Sequence, residues 1–217
     1  IKGQQGLKEI AEEVSSLLSK KQIEDEDNPK TISTSEILFG CTGTIGEEYP
    51  TEKIKKNISN LIDKIKYTQN KLIWIKAALG IMTTDLKPKL AMEECEIGNK
   101  KVKIYGVAKG SGMIAPNLAT MLSFIFTNAD INSNLLNSLL KKAVANSFNA
   151  ITVDNDQSTN DMVSLFSTRA IKIGQNLSLS DRNVQKFELA LKKLCLNLAQ
   201  QIVVDGEGAK KFLTVKV

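Results

Sequence analysis

The stretch that decides the fold is AKGSGMIAPNLATMLSFIF, residues 108–126, where a glycine-rich loop leads into a strongly apolar run. The run that opens at Ala119 and Thr120 predicts a buried β-strand. A threonine at the start of a strand is ordinary, because β-branched side chains favour strands. A threonine that begins a chain is also a nucleophile that needs no histidine, since its own α-amino group can serve as the base. Thr120 gains that role only if the peptide bond after Ala119 is cut.

Helical and strand patterns are mixed on both sides of this stretch. Apolar spacing predicts helices over residues 5–20, 54–65, 72–82, 135–147 and 180–202. Strands are predicted over residues 36–40, in a hairpin from 90 to 107, from 120 onwards, over 151–154 and 162–173, and at the end of the chain. This order lacks the strict strand–helix repetition of a doubly wound sheet, so it predicts an α+β layered fold.

The composition is that of a globular protein and excludes several function classes. Of the 217 residues, 42% are hydrophobic and 24% are charged, which suits one large domain or two small ones. The net charge is +5, but the lysines are scattered and only 5% of residues are aromatic, so no nucleic-acid partner is expected. The apolar runs are too short to span a bilayer, so no membrane partner is expected.

The residue types present also limit the chemistry. The sequence has no histidine, which removes the commonest metal ligand and every Ser-His-Asp arrangement. Its three cysteines stand far apart, so neither a zinc site nor a disulfide framework is indicated and no metal is expected. Free thiols without a signal peptide favour a cytoplasmic location. The chain begins at Ile1 rather than at a methionine, so we expect it to be a piece of a longer protein.

Four polar segments have an ordinary interpretation, and the first three also have a functional one. KGSG (109–112) is typical of a flexible turn, with a phosphate cradle as the alternative, although Lys109 precedes the glycines and breaks the Walker order. CTGTIG (41–46) is either a strand-ending turn or an anion site made of backbone N–H groups. NDQSTND (155–161) is more typical of a self-hydrogen-bonded loop than of a metal loop. DGEGAK (205–210) indicates a turn with a solvated Glu207.

Five segments taken together resemble one family. CTGTIGEEYP, IMTTDLKPK, GVAKGSGMIAPNLATMLSFIFTNA, SFNAITVDNDQSTND and VVDGEGAKKF stand in the order and at the separations typical of the ArgJ family. They run from Cys41 to Phe212, so the resemblance covers essentially the whole chain. It implies a DmpA/ArgJ-like layered sandwich, similar to the N-terminal nucleophile hydrolases, in a protein that cleaves itself. Residues 1–119 would then be the C-terminal part of an α chain and residues 120–217 the N-terminal part of a β chain.

The resemblance also implies a reaction in arginine biosynthesis, that of a glutamate N-acetyltransferase, also called ornithine acetyltransferase. The nucleophile would take acetyl from N2-acetyl-L-ornithine as an acyl-enzyme and pass it to L-glutamate, giving N-acetylglutamate and ornithine. Some members of the family also accept acetyl-CoA as the acetyl donor, and no cofactor is expected. The α and β chains are expected to form a heterotetramer of two α and two β chains.

Individual residues match the family's functional positions. Thr42 and Gly43 match the oxyanion hole, Thr42 through its hydroxyl and Gly43 through its backbone N–H. Losing one such donor typically slows a reaction about 100- to 1000-fold. The residues that match substrate-binding positions are Thr83 (or its neighbour Thr84), Lys109, Thr120 and Glu207. Ala119 and Thr120 match the two residues that flank the cleavage point, and Thr120 matches the nucleophile.

Two departures from the family and two alternative functions remain at this point. Asn155 and Gln157 stand where glycine and threonine are expected, and the family's C-terminal part, which supplies an asparagine and a threonine to the substrate site, is missing. Normal turnover is therefore not expected from these residues alone. The alternatives are a related aminopeptidase or amidase, and a non-enzymatic phosphate-binding module built on KGSG. Lys109 and Glu207 favour the transferase, because they suit a charged amino-acid substrate.

Overall fold

The computed structural model of the chain describes residues 2–25, 30–44, 46–65, 71–115 and 121–216. They form two units, Ile1–Gln69 and Asn70–Val217. Ala119 and Thr120, which flank the expected cleavage point, lie outside the described residues. None of the described helices combines the length and the apolar character needed to cross a membrane.

The first unit is a pair of packed helices. Helix α1 (Lys2–Asp25) and helix α2 (Thr51–Asp63) are joined by a segment that contains a 3-10 turn at Thr34–Glu36. Ile10 of α1 is buried against Ile58 and Ile62 of α2, as the helical spacing of these residues predicts. The predicted strand over residues 36–40 is wrong, because no described segment of this unit offers a strand edge with which it can pair.

The described residues of the second unit form the helices α3 (Lys71–Gly80), α4 (Ser133–Ala145) and α5 (Arg182–Val204) and the strands β1 (Lys89–Ile97), β2 (Lys100–Lys109), β3 (Leu122–Asp130) and β4 (Met162–Lys172). The four strands make a mixed sheet in the order β1-β2-β3-β4. The first three strands are antiparallel neighbours, and β4 is parallel to β3. Helix α4 connects β3 to β4, because parallel strands need a crossover. The predicted α+β class and the hairpin of β1 and β2 are confirmed.

Helix α5 packs on one face of this sheet and carries much of the core. A Cβ on Gly106 of β2 would lie 2.8 Å from Leu198 and 2.9 Å from Leu194, so glycine lets the helix approach the strand closely. Both leucines are fully buried. On the opposite face, Trp74 of α3 stacks on Tyr105 of β2, with their ring centroids 5.1 Å apart. The sheet is therefore held from both sides.

Two further predicted strands of this unit are wrong. Residues 151–154 do not join the sheet, because the N–H of Val153 donates to the carbonyl of Ile114 at 2.8 Å and the segment pairs with a loop instead. The segment after α5, over residues 206–216, has no strand either, and most of its side chains are exposed. Both segments have a strand-like composition, but in the described part of the chain neither has a neighbouring strand with which to pair.

Candidate active site

The end of β2 and the start of β3 lie side by side in the sheet. Lys109, the last residue of β2, is paired with Leu122, and Leu122 is paired in turn with Met162 of β4. Leu122 follows Thr120 by two positions in the sequence. The structure therefore brings the predicted substrate-binding lysine to the edge of the sheet at which β3 begins.

Lys109 carries a buried positive charge at this edge. Its side chain is 2% exposed. Burial lowers the pKa of its ammonium group, whereas the negative charges of Asp85 and Asp161 act in the opposite direction. Within the described part of the chain, no carboxylate lies close enough to Lys109 to form an ion pair. The ammonium group is thus a cation in a region of low dielectric constant, held near two acids and bonded to neither.

Asp161 binds the backbone at the start of β3. Its Oδ1 accepts a hydrogen bond from the N–H of Met121 at 2.7 Å, and the N–H of Met162 donates to the carbonyl of Met121 at 2.9 Å. Burial raises the pKa of Asp161 to about 6, although the Met121 N–H and Lys109 both favour its charged form. A carboxyl group that titrates near neutral pH therefore contacts the residue that directly follows Thr120.

A second aspartate, at the other end of the polar loop, binds the backbone that precedes residues 116–120. The Asp154 carboxylate accepts from the N–H groups of Met113 and Ile114 at 2.5 and 2.9 Å. Burial raises its pKa, but bonds from the N–H groups of Asp156, Met113 and Ile114 outweigh that effect and hold the pKa below its usual range. The loop NDQSTND (155–161) was predicted to bond mainly to itself, and the structure shows that its last residue, Asp161, and Asp154, which directly precedes it, also bind the backbone on either side of residues 116–120.

A buried ion triad lies next to Lys109. The ammonium group of Lys89 is 2.6 Å from a carboxylate oxygen of Asp85 and 2.6 Å from one of Asp205, and all three side chains are buried. Asp85 also accepts from the N–H of Gly110 at 2.7 Å. Burial raises the pKa of Asp85, but Lys89 and the backbone donors outweigh it, so this pKa lies below its usual range. None of these three residues was predicted as a site residue from the sequence, although all stand within segments that carry the family resemblance.

The triad lies where three segments with predicted substrate-binding residues meet. The hydroxyls of Thr84 and Ser111 are 2.8 Å apart, and the N–H of Glu207 donates to the carbonyl of Ser111 at 2.6 Å. A Cβ on Gly112 would lie 2.9 Å from Oε2 of Glu207, so this glycine leaves room for the glutamate. Thr83 adjoins Thr84, and both are exposed, as is Glu207. The structure therefore brings Thr83, Lys109 and Glu207 into one region.

The predicted oxyanion pair belongs to the first unit. Thr42 and Gly43 lie in the irregular segment between the 3-10 turn and α2. Thr42 is partly buried and Gly43 is exposed. Beside them, the Tyr49 hydroxyl lies 3.9 Å from the sulfur of Cys41. A turn follows, in which the N–H of Glu47 donates to the carbonyl of Thr44 at 3.3 Å.

A cavity of about 440 Å³ opens beside Asp161 and Met121. Its walls are mainly apolar and come from α4, from the start of β4 and from the residues on either side of 116–120. Among the residues that the structure describes, no group of three cysteine, aspartate or glutamate side chains is arranged to hold a metal ion. The groups that surround Lys109 and the start of β3 are an ammonium group, carboxylates, hydroxyls and backbone N–H groups.

Comparison with known proteins gives one consistent result. Residues 1–217 match the model of the ArgJ family. Similar proteins include the "Arginine biosynthesis bifunctional protein ArgJ" of Bartonella henselae, 42% identical over 190 residues, which are 88% of this chain and 45% of that protein. The proteins of the same name from Rhizobium meliloti and Chlorobaculum tepidum are 43% and 42% identical, over 85% and 86% of this chain and 45% and 44% of theirs. This chain spans a little under half the length of these curated relatives.

Proposed function

Because this chain belongs to the ArgJ family, we propose that it is part of a glutamate N-acetyltransferase of arginine biosynthesis that uses a threonine nucleophile. Thr120 becomes the first residue of a β chain when the precursor cleaves itself after Ala119. The remaining length of the protein completes a layered sandwich, and two α and two β chains assemble in the cytoplasm. No cofactor takes part, and acetyl-CoA is an additional acetyl donor to be tested.

The proposed reaction has two halves that share one intermediate. In the first, the α-amino group of Thr120 accepts the proton of its own hydroxyl, and the oxygen attacks the acetyl carbonyl of N2-acetylornithine. The Thr42 hydroxyl and the Gly43 N–H donate to the oxyanion that forms. The C–N bond then breaks, ornithine leaves with the proton, and the acetyl group stays on Thr120. In the second half, the amino group of glutamate attacks this ester, and N-acetylglutamate leaves as the threonine hydroxyl is restored.

One observation carries the proposal: Lys109 lies beside the start of the strand that follows Thr120, and the distant segment that contains Glu207 meets the glycine-rich loop directly after Lys109. Lys109 is paired with Leu122 in the sheet, and the backbone of Glu207 is bonded to Ser111 of the same glycine-rich loop. A buried ammonium group suits the carboxylate that ornithine and glutamate derivatives share. An exposed glutamate whose backbone is bonded to the loop that follows Lys109 suits their amino groups. The arrangement therefore supports an amino-acid substrate of mixed charge at this edge.

Self-cleavage is tested by intact mass measurement of the full-length protein made from its complete gene. We expect two chains that meet between Ala119 and Thr120, and a single uncleaved chain for Thr120→Ala. Thr120→Ser is the matched control, because it keeps a hydroxyl nucleophile; it should still be cleaved, although more slowly. A single chain in the unmutated protein would exclude Thr120 as a nucleophile generated by cleavage.

Transfer is tested with N2-acetylornithine labelled in the acetyl group. In the presence of glutamate, the label should appear in N-acetylglutamate, and without glutamate it should remain on the β chain as an ester that a mass shift locates at Thr120. Release of free labelled acetate at the same rate with and without glutamate would instead indicate an amidase. Replacing N2-acetylornithine by acetyl-CoA in the same assay decides whether the thioester is a donor.

A further inference from the structure

We propose that Lys89 is a positioning residue of this site: its ammonium group holds the segments that carry Thr83, Lys109 and Glu207 in register with one another. This inference rests on the proposed function for the identity of the substrates, but the mechanical coupling it describes does not depend on the reaction. Lys89 itself has no donor left for a substrate, because its ammonium group already donates to Asp85, to Asp205 and to the carbonyl of Lys87. It acts on the site only through the groups that it contacts.

The contacts of Lys89 explain why it can act as a common anchor. Its ammonium group donates to Asp85, to Asp205 and to the carbonyl of Lys87, at 2.6, 2.6 and 3.2 Å. An ammonium group has three protons, so all of its donors are used. Asp85 precedes β1, whereas Asp205 follows α5 and is separated from Lys89 by 116 positions. One buried cation thus ties the start of the sheet to the end of the last helix.

Each aspartate of the triad also accepts hydrogen bonds from backbone N–H groups of segments that carry predicted substrate-binding residues. Asp85 accepts from the N–H of Gly110 at 2.7 Å and so fixes the backbone that directly follows Lys109. It also accepts from the N–H of Thr83 at 3.2 Å. Asp205 accepts from the N–H groups of Leu86 and Lys87 at 2.9 and 3.2 Å. Thr83 thus donates directly to the triad, Lys109 precedes a residue that does, and Glu207 follows Asp205 by two positions.

The residues that directly follow α5 complete this hydrogen-bond network. Glu207 stands two positions after Asp205, and its N–H donates to the carbonyl of Ser111 at 2.6 Å. The hydroxyl of Ser111 lies 2.8 Å from that of Thr84. A shift of Asp205 would therefore move Glu207 relative to the glycine-rich loop. The three segments form a closed circuit of hydrogen bonds with Lys89 at its centre.

A buried ion triad is better suited to fixing the positions of the groups around it than to stabilising the fold. Replacing such a group by apolar side chains of similar volume is often neutral or stabilising, so burial of charge by itself is weak evidence for a purely stabilising role. Its bonds are short and directional, and misplacing a group that orients a substrate by about 1 Å can slow a reaction about 100-fold. Because Thr83, Lys109 and Glu207 are predicted to bind the substrate and not to react with it, we expect the loss of Lys89 to raise KM more than it lowers kcat.

The test compares Lys89→Met with Lys142→Met in the full-length protein. Methionine keeps much of the length of the lysine stem and removes the charge, and Lys142 is a control because its ion pair with Glu188, at 3.4 Å, is on the surface of the same unit. For Lys89→Met we expect KM for N2-acetylornithine and for glutamate to rise about 10- to 100-fold, with kcat reduced less than threefold. Cleavage after Ala119 should still occur. Lys142→Met should leave both constants unchanged.

A second measurement separates failure of this inference from failure of the proposed function. In Lys89→Met, hydrogen exchange should accelerate at the N–H groups of Gly110 and Glu207, which are bonded to different parts of the circuit, and not in α4. This readout requires no acetyl transfer. Exchange at Gly110 alone, with Glu207 unchanged, would overturn the coupling. Unchanged KM values in a variant with accelerated exchange would overturn the positioning role while leaving the acetyltransferase intact.

A milder variant keeps the inference testable if Lys89→Met does not fold. Asp205→Asn retains an oxygen that can accept from the N–H groups of Leu86 and Lys87 and removes only the negative charge that faces Lys89. It should raise both KM values at least threefold and accelerate exchange at Glu207. A folded Asp205→Asn protein with wild-type KM values and wild-type exchange would contradict the proposal.

Discussion

Replacing Asp161 with asparagine should remove a dependence of stability on pH that this carboxyl group imposes on the chain. Burial raises the pKa of Asp161 in the folded chain from 3.8 to about 6. Between these two values the folded chain binds one more proton than the unfolded chain, so its stability falls as pH rises. Above about pH 6 the folded chain carries the full cost of the ionised group, and below about pH 3.8 it carries none.

The size of the effect follows from the same two values. One pH unit corresponds to about 1.4 kcal/mol, so the interval from 3.8 to about 6 sets an upper limit of about 3 kcal/mol. Asp161 is only partly buried, and screening by solvent reduces this to about 1–2 kcal/mol. The attraction of Lys109 and the Met121 hydrogen bond are already included, because the pKa of about 6 is what remains after both. Asparagine keeps the oxygen that accepts from Met121.

Urea unfolding at several pH values between 4 and 8 measures this difference. Fluorescence of Trp74 is the signal, because it is the chain's single tryptophan and stacks on Tyr105 of the same sheet. The free energy of unfolding of the unmutated chain minus that of Asp161→Asn should decrease by about 1–2 kcal/mol from pH 4 to pH 8. Carboxyl groups elsewhere contribute equally to both proteins and cancel.

Asp154→Asn is the matched control, since it changes the aspartate that directly precedes the same loop. The pKa of Asp154 is lowered in the folded chain, so its contribution to stability is present above about pH 3.8 and is lost only as the pH falls below that value. Its difference curve should therefore be flat from pH 4 to pH 8. A flat difference curve for Asp161→Asn, or one that rises with pH, would refute the conclusion that burial raises the pKa of Asp161.

Three further outcomes are expected from the packing. Gly106→Ala should destabilise the chain by about 1–3 kcal/mol in urea unfolding, because its Cβ would lie 2.8 Å from Leu198, and Leu198→Ala in the same chain should reduce that cost below the sum of the two changes. Gln201→Ala should cost about 1–2 kcal/mol and accelerate hydrogen exchange at Leu90, whose backbone N–H and C=O are both bonded to the glutamine side chain, at 3.1 and 3.0 Å. Burial raises the pKa of Cys195 to about 12, so iodoacetamide at pH 8 should label this thiol only after denaturation, as peptide mass measurement would show.

The members of the candidate site differ in how visible they were in the sequence. Lys109 and Glu207 stand out because they occupy distinctive glycine-rich segments that match a family order. Lys89, Asp85 and Asp205 also stand in matching segments, but a lysine and two aspartates are usually solvated, and nothing local marks these three as buried. Their burial depends on a contact between Lys89 and Asp205 across 116 positions. Such a contact is a property of the packed chain.

The same distinction separates correct strands from incorrect ones. The hairpin of β1 and β2 was predictable, because its two alternating segments and the turn between them are adjacent in the sequence. Residues 151–154 have a similar strand-like composition, yet Val153 bonds to Ile114 and the carboxylate of Asp154 binds a loop. A strand requires a free partner edge as well as suitable side chains, and the sequence does not state which edges are free.

By itself, the sequence determined the helices with amphipathic spacing, the α+β class and the family, because apolar periodicity and motif order are carried by neighbouring residues. Only the tertiary structure decided that Lys109 is paired with Leu122 at the start of β3, that Lys89 joins Asp85 to Asp205, and that the polar loop binds the backbone on both sides of residues 116–120. These arrangements depend on which polar groups lose their water on folding. A buried charge must then find its partners wherever the fold has brought them, and that position is set by the packing of α5 and the sheet rather than by distance along the chain.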